Sequence, residues 1–224
     1  MTQETLRSNE WTGKNAWQDY LELIKERPEL FVQNELLMIE TDIDKIIKYE
    51  TENHVQIGVM YKSPYHLFVV DLVYDRFGRY FTYERCIPSV KKGAVVAVPL
   101  YKDCFVLLKQ FRHAVRRFQY AFPRGFGEIG ISSEENLKKE ISEELGADIL
   151  SFRKLGSVVS NSGLSSDKAD VFCCEITRPT LKDGYESIVE LEFLNRDELK
   201  QWISEEKIED GFTLSALLLY LNSN

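Results

Sequence analysis

The 224-residue chain has few of the side chains that build structural metal sites, with four cysteines and three histidines. Cys86, Cys104, Cys173 and Cys174 form no C-x-x-C pair, and they have no ligand spacing with His54, His66 or His113. A structural zinc site is therefore excluded as an expectation, and so is a disulfide framework. No apolar run approaches the ~20 residues needed to cross a bilayer. The opening Met1-Thr2-Gln3-Glu4-Thr5 is polar and acidic, unlike the apolar core of a signal peptide. These absences predict a reduced, cytoplasmic protein. Basic residues are also in deficit, 28 against 36 acidic ones, for a net charge of -8. That balance speaks against gripping nucleic acid or an anionic membrane by bulk charge. It leaves phosphorylated ligands open, because a divalent cation can carry them to an acidic protein.

What remains is an ordinary globular composition, 44% hydrophobic and 29% charged, far from a disordered one. The length suits one large domain, or one domain with an appendage. No internal repeat, low-complexity tract or long linker interrupts it. Trp17, Leu21, Leu23 and Ile24 recur at helical spacing before Pro28, and Leu36, Leu37, Ile39, Ile43, Ile46 and Ile47 suggest a second helix. From Val55 the texture turns β-branched and aromatic. Strands are predicted over 55–61 and 66–74, with the turn Asp75-Arg76-Phe77-Gly78 leading to a return strand over 79–85. A more apolar pair follows over 94–100 and 105–111, then a basic connection over 112–117. Ser133 is a reasonable N-cap for a helix over 133–146, with Leu137, Ile141 and Leu145 as its apolar stripe and Gly146 as its stop. Strands around 152–159, 169–176 and 187–194 and helices over 196–204 and 212–221 complete the chain. Mixed strands and helices predict a layered α/β domain.

The chemistry concentrates on the helix at 133–146. Glu140, Glu143 and Glu144 stand at i, i+3 and i+4, so three carboxylates share one face. Like charges at that spacing repel, each close pair costing a few tenths of a kcal/mol on an isolated helix. A hard cation such as Mg²⁺ or Mn²⁺ turns the repulsion into a binding site and keeps room for water and phosphate oxygens. The plain alternative is a solvated glutamate-rich face. A glycine-rich loop just before the helix allows close approach of backbone to a phosphate or metal.

The segment Gly125 to Ala147 resembles the Nudix box, G-x5-E-x7-R-E-U-x-E-E-x-G-U with U aliphatic. Gly125, Glu140, Ile141, Glu143, Glu144 and Gly146 fall at the required positions. Around it, Leu107-Leu108-Lys109-Gln110-Phe111-Arg112, Phe122-Pro123-Arg124-Gly125, Asn161 to Asp167 and the stretch from Lys207 to Leu217 are similar to segments of ADP-ribose pyrophosphatase-like members, in the same order. The resemblance spans roughly 55–221. It implies a Nudix fold, an α/β/α sandwich around a mixed sheet, with an N-terminal helical and β extension. The expected organisation is a helical extension over 1–54, a β region over 55–92 that forms a homodimer, and a hydrolase domain over 93–224.

By the same resemblance, Glu140, Glu143 and Glu144 are metal ligands, joined by the Arg124 carbonyl. Arg112, Arg124 and Gly125 contact substrate, and Asp167 is a candidate for activating water beside Glu143 and Glu144. Arg112 also reads as a strand-end surface arginine and Asp167 as a surface loop acid. The implied reaction is Mg²⁺-dependent hydrolysis of the pyrophosphate in ADP-ribose or a nucleotide sugar. The box also departs from its pattern: Ile131 replaces a glutamate and Lys139 an arginine, and before the box Ala121 stands where the subgroup usually has a glutamate. Glu128 and Glu134 lie near enough to stand in for the first, and Lys139 near enough to pair with Glu143. These departures support a rival, a catalytically weakened module that binds or senses a nucleotide.

Overall fold

The structure is a computed structural model that describes residues 15–181 and 185–223. The chain divides into two compact units. One gathers the described residues up to Ser89 together with Asn161–Asp167, and the other comprises Val90–Ser160 and the described residues from Lys168 onward.

In the first unit, helix α1 (Ala16–Glu26) precedes strand β1 (Leu37–Ile39), helix α2 (Ile43–Asn53) and strands β2 (Gly58–Lys62), β3 (His66–Asp75) and β4 (Tyr80–Pro88). β3 is the centre of an antiparallel sheet. β4 lies along its whole length on one side, while β2 and β1 share the other side at Leu67–Val70 and Val73–Asp75. The apolar face of α1 packs Tyr20 and Leu23 against Val59, Val69 and Ile87. Beneath it the Tyr20 hydroxyl donates to Asp71 at 2.5 Å, and Arg85 closes on the same carboxylate through Nε and Nη2. A buried carboxylate that receives a guanidinium and a hydroxyl has its lone pairs satisfied, so the charge is tolerated inside the unit.

The second predicted helix divides in two. Leu37–Ile39 pair with β3, and helix begins only at Ile43, after Asp42 caps it by accepting from the Asp44 N–H at 3.0 Å. The turn between them is held by Glu40, whose Oε1 accepts from the N–H groups of Thr41 and Asp42. Local polar bonds at Glu40 and Asp42 thus end the apparent periodicity.

The second unit holds strands β5 (Val95–Tyr101), β6 (Cys104–Arg112), β7 (Arg117–Ala121), β8 (Arg124–Gly125), β9 (Ile149–Val159), β10 (Lys168–Ile176) and β11 (Ile188–Leu194), with helices α3 (Ser133–Leu145), α4 (Arg196–Ser204) and α5 (Gly211–Leu221). The sheet runs β11-β6-β5-β10-β9 and is mixed, since β5 and β10 are parallel. β5 and β6 pair only at their hairpin end and then separate. β7 pairs with β6 and β8 with β5 beyond that point. Both faces are covered. Val95, Ala97, Val106 and Leu108 pack under Leu137, Ile141 and Leu145 of α3. Val96, Val98, Phe105 and Leu107 pack on the other face with Leu199 of α4 and Leu217 of α5. Cys174 belongs to the first cluster and Cys173 to the second, as alternation along a strand requires. This is the expected α/β/α sandwich. The basic segment 112–117 is a tight turn, and β7 after it carries no readable alternation.

Candidate active site

The box helix starts where the sequence places it, at Ser133, but its cap lies one residue earlier. Ser132, not Ser133, is the N-cap, and Glu135 returns its carboxylate to the Ser132 N–H at 2.9 Å in a reciprocal capping box. Ser133 instead donates through Oγ to Asp170 of β10. Asn136 is buried in the helix, and its amide donates at 2.7 Å to the carbonyls of Gly93 and Phe126, tying the loop before the helix to its first turn. Gly146 ends the helix in the left-handed region at φ 55, where a β-carbon is disfavoured. With the apolar stripe under the sheet, the direction of the three box glutamates is set.

Glu144 is 2% exposed, and its Oε2 accepts from the Arg124 backbone N–H at 3.2 Å. Burial, then the charges of Glu140 and Glu186, push its carboxyl up to about 8, against the pull of Arg112. Burial and then Glu143 and Glu186 push Glu140 up to about 7. A β-carbon on Gly125 would overlap the Glu140 carboxylate, so only glycine allows that carboxylate to lie against the strand that precedes the box. Glu143 is half-buried, with the Lys139 ammonium 3.9 Å away. Lys139 also forms an ion pair with Glu128. Of the two acids near the vacant box position, Glu128 is thus the one that this lysine engages.

At the end of β6, Arg112 has its Nε and Nη2 buried and without a hydrogen-bond partner among the described residues. Burial and then the charge of Arg124 lower its pKa, while Asp210, Glu144 and Glu186 oppose them. Guanidinium donors that face carboxylates yet bond none of them suit an anionic ligand. Arg124 is held differently: its Nη1 donates to Asp210 at 2.8 Å and its guanidinium lies 5.1 Å from the Phe212 ring centre. Asp210 in turn caps α5 by accepting from Thr213. Arg116 and Arg117 are exposed, the latter paired with Glu209 at 2.6 Å. Phe118 sets an edge against Phe111, and Tyr120 packs on Trp202.

Arg112, Arg124, Gly125, Glu140, Glu143 and Glu144 all belong to the second unit. Asp167 belongs to the first. Its N–H donates to Ser165 Oγ at 3.0 Å, and after burial it is the second cause that raises the Cys86 thiol. Two further residues at the site have no role assigned from the sequence. Glu186 lies in the turn Tyr185–Ser187 before β11 at φ 44 and ψ 32, and its charge acts on Glu140, Glu144 and Arg112. A non-glycine residue in that region costs on the order of 1–3 kcal/mol. Gln110, buried on β6, donates from Nε2 to the Glu186 carbonyl at 2.8 Å.

Among the described residues, no three His, Cys, Asp or Glu side chains converge closely enough to hold a metal ion as they stand. The donor set nevertheless fits a hard cation, since burial and neighbouring acids raise two of its carboxylates and a glycine clears the space that one of them occupies.

No protein-family model matches the chain. It is 28% identical over 158 residues to the ADP-sugar pyrophosphatase of Mus musculus, across 63% of this chain and 72% of that protein. A solved structure described as an ADP compounds hydrolase superimposes with a TM-score of 0.63 at 17% identity, covering 74% of this chain and 90% of that one. A mixed sheet between helical layers, with the glutamate box on α3, gives this chain the fold of that solved structure. In sequence it is similar to the mouse ADP-sugar pyrophosphatase, which agrees with the resemblance read from the box.

Proposed function

We propose that the protein is a divalent-cation-dependent hydrolase of the pyrophosphate bond in a nucleoside diphosphate joined to another group, with ADP-ribose or an ADP-sugar as substrate. The observation that carries this reading is the pair Glu140 and Glu144, both raised first by burial and then by neighbouring acids, near a guanidinium with two unpartnered donors. The names of the mouse relative and of the solved neighbour support the adenosine diphosphate class.

In this proposal Glu140, Glu143 and Glu144 hold Mg²⁺ or Mn²⁺, with the Arg124 carbonyl as a further oxygen. When bound, the cation neutralises pyrophosphate charge and polarises a phosphorus–oxygen bond. Arg112 donates Nε and Nη2 to a phosphate oxygen. Gly125 lets the backbone approach the ligand, and the Arg124–Asp210 pair fixes the backbone that carries the Glu144 contact. Water attacks phosphorus, its proton passes to a carboxylate, and the bridging phosphorus–oxygen bond breaks to leave a nucleoside monophosphate and a phosphorylated partner. Glu186, whose charge reaches Glu140 and Glu144, is the acceptor we favour for that proton, and Asp167 is the acceptor that the sequence resemblance favours. The four cysteines are free thiols, in keeping with a cytoplasmic setting. The antiparallel sheet of the first unit is the proposed homodimer surface, and the ligand is a small molecule rather than nucleic acid or membrane. No helix among the described residues is long and apolar enough to cross a membrane.

The test incubates the protein with a panel of nucleoside diphosphate compounds and Mg²⁺ or Mn²⁺, beside Glu144→Gln. Turnover of an ADP compound that is lost in the variant supports the proposal. Binding of ADP-ribose with no turnover of any compound overturns it in favour of a nucleotide-binding module.

A further inference from the structure

We propose that Gln110 is a positioning residue for Glu186: the hydrogen bond from its amide to the Glu186 carbonyl holds the turn that carries this glutamate against α3. The inference rests on the hydrolase reading above. Alternation along β6 puts Gln110 and Arg112 on the face of Val106 and Leu108, which pack under α3. The amide therefore emerges where the apolar stripe ends and the charged site begins. Gln110 is 4% exposed, and it lies opposite Ile188, the first residue of β11.

Three features separate this glutamine from ordinary core filler. Its Nε2 donates to the Glu186 carbonyl at 2.8 Å, and reversing the amide would set two oxygens against each other. Glu186 and Ser187 both have positive φ, at 44 and 61, in a region that side chains rarely adopt, so the turn needs an outside hold. Lastly, Gln110 Oε1 is buried with no partner among the described residues. A buried polar atom is normally satisfied, so a glutamine kept only for packing would not strand one end of its amide. The stranded Oε1, two residues from the unpartnered donors of Arg112, is available to a water or a ligand hydroxyl.

A double-mutant cycle with ADP-ribose and Mg²⁺ tests this. Gln110→Met is expected to lower kcat about tenfold with KM within about twofold, and to change kcat less than about twofold when Glu186 is already Gln. Gln110→Leu also lacks the donor at similar size and is expected to match Gln110→Met, and a melting temperature near wild type in both separates loss of the hold from loss of the fold. Losses that simply multiply across the cycle, or a rise in KM alone, overturn the proposal. A wild type that turns over nothing refutes the hydrolase reading instead. In that case amide hydrogen exchange decides: Gln110→Met is expected to speed exchange over residues 185–190 while α3 stays protected, and unchanged exchange there overturns the proposal.

Discussion

The Lys139 ammonium is paired with the Glu128 carboxylate, eleven residues earlier in the chain, while Glu143 lies on its other side at 3.9 Å. One flexible cation therefore spans the loop before the helix and the carboxylate face of the helix itself. The box pattern places an arginine at this position and a glutamate at the site of Ile131. Here a lysine stands at the first position, and it pairs with a glutamate three residues before the second, without a planar fork. Because Lys139 and Glu128 are 38% and 42% exposed, the pair contributes little to the stability of the fold.

Lys139→Met is accordingly expected to lower kcat about tenfold by releasing Glu143, with the melting temperature changed by less than about 3 °C, since exposed ion pairs contribute ~0–1 kcal/mol. Lys139→Arg is expected to retain activity. Steady-state kinetics and calorimetry on the three proteins check this, and a large stability loss with unchanged kcat would contradict it.

Glu144→Gln removes a buried negative charge that repels Glu140. Turnover is expected to fall at least about 100-fold, the scale of losing a preorganised electrostatic group. Without divalent cation, the variant is expected to melt at or above the wild-type temperature at pH 8, because the uncompensated charge has gone. Parallel assays of rate and thermal unfolding distinguish the two effects.

Glu140 and Glu144 are raised to about 7 and about 8, above the ordinary glutamate value that the unfolded chain restores. The folded form then binds more protons than the unfolded form between about pH 4.5 and 8, so stability from this source is full below that window and lost as pH rises through it. The metal-free protein is expected to lose stability progressively across the window. Mg²⁺ should raise the melting temperature more at pH 8 than at pH 6. A flat metal-free profile would count against the buried pair.

Arg112→Met is expected to raise KM for ADP-ribose about 10- to 100-fold, or ~1.4–2.7 kcal/mol, by removing the donors to a phosphate. Binding of ADP-ribose measured by calorimetry without metal should weaken in parallel. Stability should hold or improve, because two buried unsatisfied groups disappear.

Glu186→Gln is expected to lower kcat at least about 100-fold, and Asp167→Asn less than about threefold, the contrast expected when one carboxylate takes the proton and the other does not. Comparing kcat for the two variants chooses between them. The reverse order would restore the role that the sequence resemblance assigns to Asp167.

Much of this protein could be read along the chain. The strands at 66–75, 95–101 and 168–176 announced themselves by β-branched runs, and α3 by a stripe at i, i+4 and i+8 closed by glycine. The three box glutamates were legible because their spacing is a property of the helix alone. The second N-terminal helix misled, because Leu36 to Ile47 imitate one period while Glu40 and Asp42 bend the chain between strand and helix. The N-cap slipped by one because adjacent serines offer the same hydroxyl, and the choice fell to Asp170, which takes the second.

Helical and strand periodicities are local, so residue order alone sets the layered class of the fold and the shared face of Glu140, Glu143 and Glu144. Partners brought together across long loops leave no such trace. That Glu144 is shielded enough to be raised to about 8, that Arg112 keeps two donors unpaired, and that Gln110 holds Glu186 depend on how β6, β11 and α3 pack, because burial and electrostatics follow distance through space rather than distance along the chain.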